Sequence, residues 1–130
     1  MKILVLIAQV ILGVYFLFNA YNHLGKNRAG IIGYAQMRKV PAPAVVVPLT
    51  GLMLLGAGLS LLLGYQVTIG AWLAIIFLVL VAFLVHHFWT DEGMEQLGQM
   101  THFGKNLALA AALLLATFVS NDVWVIRLGR

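Results

Sequence analysis

All four histidines of this chain (His23, His86, His87 and His102) lie near the ends of long apolar runs, and amide or ammonium groups accompany them. Asn19 and His23 are four residues apart, as are His102 and Asn106, and Lys105 is three from His102. Such spacings put side chains on one face of a helix. His86 and His87 are neighbours, about 100° apart on a helix of about 3.6 residues per turn, so one of them must turn away. His86 is the inward choice, because His87 lies closer to the polar loop that follows. Imidazole, carboxamide and ammonium groups donate and accept hydrogen bonds or carry protons. Other chemistries are excluded by type. There is no cysteine, which removes thiol catalysis and thiolate metal sites. No serine-nucleophile arrangement and no phosphate-binding glycine loop in a strand context is present. The HExxH spacing is absent and adjacent histidines do not share a helix face, so no metal site is expected.

The elements that position these groups follow from composition. Of 130 residues, 62% are hydrophobic and only 9% charged, with a mean hydropathy of +0.99. A soluble domain carries about 25% charge, so this chain is expected in lipid, and disorder or a soluble catalytic domain is excluded. A net charge of +4 from eight Lys/Arg and four acids is too slight for a nucleic-acid role; in a membrane protein it reports orientation and headgroup contact.

Residues 3–24 contain no charge and exceed the roughly 20 needed to cross about 30 Å of hydrocarbon. The run is longer than a signal-peptide core and lacks a small-residue cleavage site, so it is expected to be retained as a first helix. Residues 40–90 carry no charge at all, too many for one crossing and enough for two. They divide at Gly64-Tyr65-Gln66-Val67-Thr68 into spans at about 44–63 and 69–87. A fourth, shorter span is expected at about 103–119. The chain thus reads as one all-α domain, an integral membrane four-helix bundle running up-down-up-down. Unbroken apolar runs fit helices and not the alternating strands of a barrel. The connector 25–43 contains a segment, Gly30 to Met37, spaced like a short interfacial helix, and Pro41 and Pro43 follow it. The tail 120–130 reads as an interfacial end. The connector side holds Lys26, Arg28, Arg38, Lys39 and Lys105 against Lys2, Arg127 and Arg130 on the terminal side, a count that favours cytoplasmic connectors.

Two stripes of small residues, Gly56/Ser60/Gly64 and Ala108/Ala112/Ala116, are expected to let helices pack closely within the bundle or, less directly, between copies.

In such a bundle the exits of the first and third helices and the start of the fourth share one membrane face. Asn19, His23, His86, His102, Lys105 and Asn106 then form a candidate polar pocket. A histidine at a helix end can also serve as an interfacial anchor, as Trp89, Tyr21 and Tyr34 do. Four histidines at one depth favour the pocket. An unpaired polar group in apolar surroundings costs roughly 1–3 kcal/mol, so His102 and Asn106 should face His23 and bond directly or through water. Lys105 can reach out to Asp91 or Glu92.

One stretch carries a family resemblance. His86-His87-Phe88-Trp89, an acidic loop and Met100-Thr101-His102-Phe103-Gly104-Lys105-Asn106-Leu107-Ala108-Leu109 resemble the DoxX family of small bacterial inner-membrane proteins, as does Val40-Pro41 after a connector containing Tyr34. The family often has arginine where this chain has Gln9, and a glutamate near Thr50-Gly51; a role resting on that glutamate has no carrier here.

The resemblance implies a membrane subunit or accessory of a redox system linked to quinone, without catalytic activity of its own. The pocket would receive a quinone headgroup against a wall of Phe88, Trp89 and Phe103. No side chain can store electrons, so a redox partner protein or soluble cofactor would supply them. Besides the lipid bilayer and that partner, a second copy in a homo-oligomer is a candidate. The alternative is a small transporter or an anchoring subunit.

Overall fold

The computed structural model describes residues 1–119 and 121–129. Ser120 and Arg130, which sequence reasoning assigned to the polar tail and the positive side of the chain, lie outside the described residues. Most of the chain is helical: α1 (Lys2–Leu24), α2 (Arg28–Met37), α3 (Pro43–Leu63), α4 (Val67–Leu84) and α5 (Gly93–Ala116), with short 3-10 turns at Phe88–Thr90 and Asn121–Val123. Among the described residues there is no strand.

Three stretches are long and apolar enough to cross a membrane: Lys2–Leu24, Pro43–Leu63 and Val67–Thr90. These match the first three expected spans, and α2 is the short connector helix. The fourth element differs. Its helix begins at Gly93, ten residues before the expected 103, and ends at Ala116. Hydropathy marks where a helix becomes apolar, not where its backbone bonds begin. The first turns of α5 carry Glu95, Gln96 and Gln99 and are helical all the same. The third span is also shorter as a helix than 69–87, because α4 stops at Leu84 and leaves His86 and His87 in irregular backbone.

Successive long helices run antiparallel. Gly13 of α1 lies against Leu62 of α3, Gly58 against Leu17, and Gly51 against His23 and Leu24. A Cβ on Gly58 would stand 2.8 Å from the Leu17 backbone nitrogen, so only glycine admits this approach. The stripe singled out from sequence faces elsewhere: Gly56 meets Leu73, and Ser60 meets Gly70, both on α4. α3 therefore uses two small-residue faces, one for each neighbour. The α5 stripe is covered only at Ala116, which is half-buried. Ala108 and Ala112 are exposed, and α5 instead buries Gln99, Asn106, Ala110 and Leu113. The core joins Phe16 and Ala20 of α1, Leu54, Ala57 and Leu61 of α3, Ala74 and Leu78 of α4, and Ala110 and Leu113 of α5. A smaller cluster of Ala35, Val40 and Val47, with Ile31, Ile32, Val46 and Val85, seats α2 on α3.

The tail is bonded back onto α1 and the end of α3. Gln9, fully buried in α1, donates through Nε2 to the carbonyls of Ile126 (2.7 Å) and Leu62 (3.2 Å), and its Oε1 accepts from the Ile126 N–H at 3.1 Å. The Leu128 N–H bonds the Leu63 carbonyl at 2.9 Å, one of the acceptors left over at the end of α3. Gly64, at φ +60°, lies directly under the Ile126 carbonyl, where a side chain has no room. An extended segment has unpaired backbone groups, and a buried glutamine beside a helix end supplies their partners.

Candidate functional site

At the other end of the helices lies a cavity of about 340 Å³. Its polar wall contains Asn19 and His23 from α1, Tyr34 from α2, Thr50 from α3, His86 after α4, and His102, Lys105 and Asn106 from α5. Its apolar wall is Val47, Phe77, Leu78, Val81 and Val85. All six residues proposed from sequence thus line one space. Tyr15, Leu80 and Leu84, all exposed, also belong to its wall. α1 packs on α3 and α5 packs on α4, whereas α1 and α5 scarcely touch, leaving a seam between them, and residues of both line the cavity.

The polar groups do not bond across the cavity in the way expected. His23 Nδ1 sits 2.8 Å from the Asn19 carbonyl of its own helix, and Asn19 Nδ2 donates to the Tyr15 carbonyl at 2.8 Å. The His23 ring meets the edge of Phe77 at 5.6 Å. His86 turns inward and His87 turns away, its Nδ1 lying 3.1 Å from the Leu84 carbonyl. The rings of His86 and His102 stack with centroids 5.0 Å apart. Lys105 Nζ lies 3.4 Å from His102 Nδ1 and does not engage Asp91 or Glu92. Asn106 is 6% exposed and, among the described residues, has no hydrogen-bond partner. Its carboxamide atoms are not sealed off; they stay accessible on the wall of the cavity.

Gln99 joins this site, although its sequence position did not suggest it. Its Nε2 donates to Glu95 Oε1 (2.8 Å) and the Tyr34 hydroxyl (2.7 Å), while its Oε1 faces His86 Nδ1 at 2.7 Å. The signal was present but lay outside the expected helix. Once α5 starts at Gly93, Glu95, Gln99, His102 and Asn106 form one polar stripe at helical spacing.

Arg38 is the second residue missed. Its guanidinium makes two 2.9 Å bonds to Asp91, and it also donates to the carbonyls of Val85 (2.6 Å) and His87 (3.3 Å). Asp91 therefore pairs with Arg38 and not with Lys105 or a histidine. Both side chains of the pair are largely covered, at 10% and 12% exposure. The bond to Arg38 holds the Asp91 carboxyl below its ordinary range, and Asp91 in turn raises the Arg38 guanidinium. This pair ties the first connector to the second and gives the carbonyls past the end of α4 a cationic partner. No local pattern announces a partner 53 residues away.

The aromatic wall expected from Phe88, Trp89 and Phe103 is displaced. Those rings form their own cluster with Phe83, with centroids 5.1–6.4 Å apart, and none of them lines the cavity. The aromatic carbocycles that do are Phe77, Tyr15 and Tyr34.

A protein-family model described as DoxX matches residues 4–87. That stretch contains Asn19, His23 and His86 and stops short of His102, Lys105 and Asn106. No curated protein and no solved structure matches the chain.

Proposed function

The chain belongs to the DoxX family, and on that premise we propose that it is a multi-pass inner-membrane protein whose cavity receives a quinone headgroup. In this reading α5 makes a fourth crossing, with the polar half of α5 at headgroup depth, both termini on one side and both connectors on the other. The observation that carries the proposal is Asn106, whose carboxamide makes no hydrogen bond among the described residues and stays accessible on the cavity wall. An accessible carboxamide with free donor and acceptor capacity in a largely apolar cavity is available to bond a ligand's oxygen.

The residues present fit such a group. The volume lies at the small end of the range of about 300–1,000 Å³ typical of ligand pockets, which suits one ring better than a fused system. Phe77, Leu78, Val47 and Val81 provide apolar faces for it. Asn106, Lys105 and the imidazole of His102 can donate to its oxygens. The seam between α1 and α5 admits a ligand with an isoprenoid tail directly from the lipid. A quinone supplies reversible electron and proton storage, which no side chain here provides. The protein's own part is to bind, orient and shield the ring. Electrons would pass to or from a partner protein or a soluble donor, making the chain a membrane subunit or accessory of a redox system.

Purified protein extracted with organic solvent and analysed by mass spectrometry should yield quinone in near-stoichiometric amount. A quinone-free preparation that instead moves solute across liposomes would replace this reading with a transporter. Topology is checked separately. Reporter fusions at Gly129 and Gln66 should report one compartment and a fusion at Gly30 the other; opposite signals from Gly129 and Gln66 would reject the four-crossing arrangement.

A further inference from the structure

The hydrogen bonds that anchor two cavity histidines determine what each can offer a ligand. His23 Nδ1 lies 2.8 Å from a backbone carbonyl oxygen, that of Asn19. A carbonyl can only accept, so Nδ1 carries the hydrogen, and in the neutral ring Nε2 is a bare acceptor. His86 is in the same condition for a different reason. Its Nδ1 faces Gln99 Oε1 at 2.7 Å. The Gln99 amide is oriented by its other contacts: its Nε2 donates to the Glu95 carboxylate and the Tyr34 hydroxyl, which leaves only the oxygen for His86. His86 must therefore donate through Nδ1 and present Nε2 as an acceptor. One such ring comes from α1 and the other from the segment after α4, and both line the cavity.

The two oxygens of a quinone ring only accept. Facing two imidazole acceptors, they leave His23 and His86 unsatisfied, or force a ring to give up its anchoring bond and change tautomer. The corresponding hydroquinone has two hydroxyl groups, each able to donate to an imidazole Nε2 and still accept from Asn106 or Lys105. We infer that the cavity favours the reduced, hydroxyl-bearing form of its ligand over the oxidised form, with His23 and His86 as the hydroxyl acceptors. This rests on the quinone-pocket reading above and adds to it which redox form the site favours.

The test uses the full chain in lipid nanodiscs under anaerobic conditions, titrated with a decyl-substituted benzoquinone and with its hydroquinone. The hydroquinone should bind about tenfold tighter, a difference of roughly 1.4 kcal/mol. His23→Phe keeps a ring beside Phe77 and removes the acceptor; it should weaken hydroquinone about tenfold and leave quinone within about twofold. If that variant does not fold, His86→Phe carries the same expectation. Nitrogen-15 spectra of labelled histidine should show His23 and His86 protonated at Nδ1 and bare at Nε2. Equal affinity for the two forms, tighter quinone binding, or rings protonated at both nitrogens would overturn this inference and leave the pocket standing. Binding of neither compound would overturn the pocket reading and the inference together.

Discussion

The two ends of the helix bundle treat buried polar groups in opposite ways. At the terminal end, Gln9 is fully buried and every part of its carboxamide is used, donating to Leu62 and Ile126 and accepting from Ile126. The tail it holds fills the space between α1 and the end of α3. At the connector end, Asn106 is almost as deeply buried, yet its carboxamide has no partner among the described residues and borders an open volume. Two side chains of the same chemistry, one bonded to the chain's own backbone and one left accessible to a cavity, set the two ends apart. A fold under selection for stability alone would fill or satisfy the second as it does the first.

This contrast can be broken by substitution, and the largest effect should come from the terminal end. Gln9→Leu removes the partner of the Ile126 N–H and of two carbonyls in a part-buried setting. It should cost about 1–3 kcal/mol, lower the Tm in detergent and release the tail to protease near residue 126. An unchanged Tm would mean that the tail is only loosely held. Next is Ser60→Leu, which pushes a branched side chain into Gly70 at the α3–α4 contact; overpacking of this kind costs about 1–3 kcal/mol. A wild-type melting profile would show that the contact can open without loss.

A smaller effect is expected at the connector end from the Arg38–Asp91 pair. Asp91 is held below its ordinary carboxylate range in the folded protein, so its contribution is present at neutral pH and is lost as pH falls through that lowered value. Asp91→Asn should lower Tm modestly at neutral pH and flatten the acid side of the stability profile. A variant with the parent's full acid-side slope would assign that slope to other carboxyls.

The same contrast explains what the sequence made legible. Lipid demands long uncharged runs, so α1, α3 and α4 stand out from hydropathy alone, and the positions of the histidines within those runs brought six residues to one cavity wall. α5 was legible only where it is apolar. Its first turns satisfy backbone groups in a polar environment, where hydropathy has no reason to rise, and so Gln99 was missed. The Arg38–Asp91 pair and the Gln9–Ile126 bonds join residues 53 and 117 apart, and nothing in the local pattern of either partner names the other. The small-residue stripes show a further limit. Spacing finds a smooth helix face but not what lies against it, and Ser60 met α4 while Ala108 and Ala112 are exposed.

The most direct test of the central claim is a paired melting measurement on Gln9→Leu and Asn106→Leu, with quinone binding recorded for the second. Both replace a buried carboxamide with an apolar side chain. If Asn106 serves a ligand and not the fold, Asn106→Leu should leave the Tm of the ligand-free protein level or raise it, with a change of about 1 kcal/mol at most. It should also weaken quinone binding about tenfold or more, while Gln9→Leu melts far earlier and binds normally whenever folded. If Asn106→Leu destabilises the protein as much as Gln9→Leu does, or binds quinone as the parent does, the connector end is not the site this account makes it.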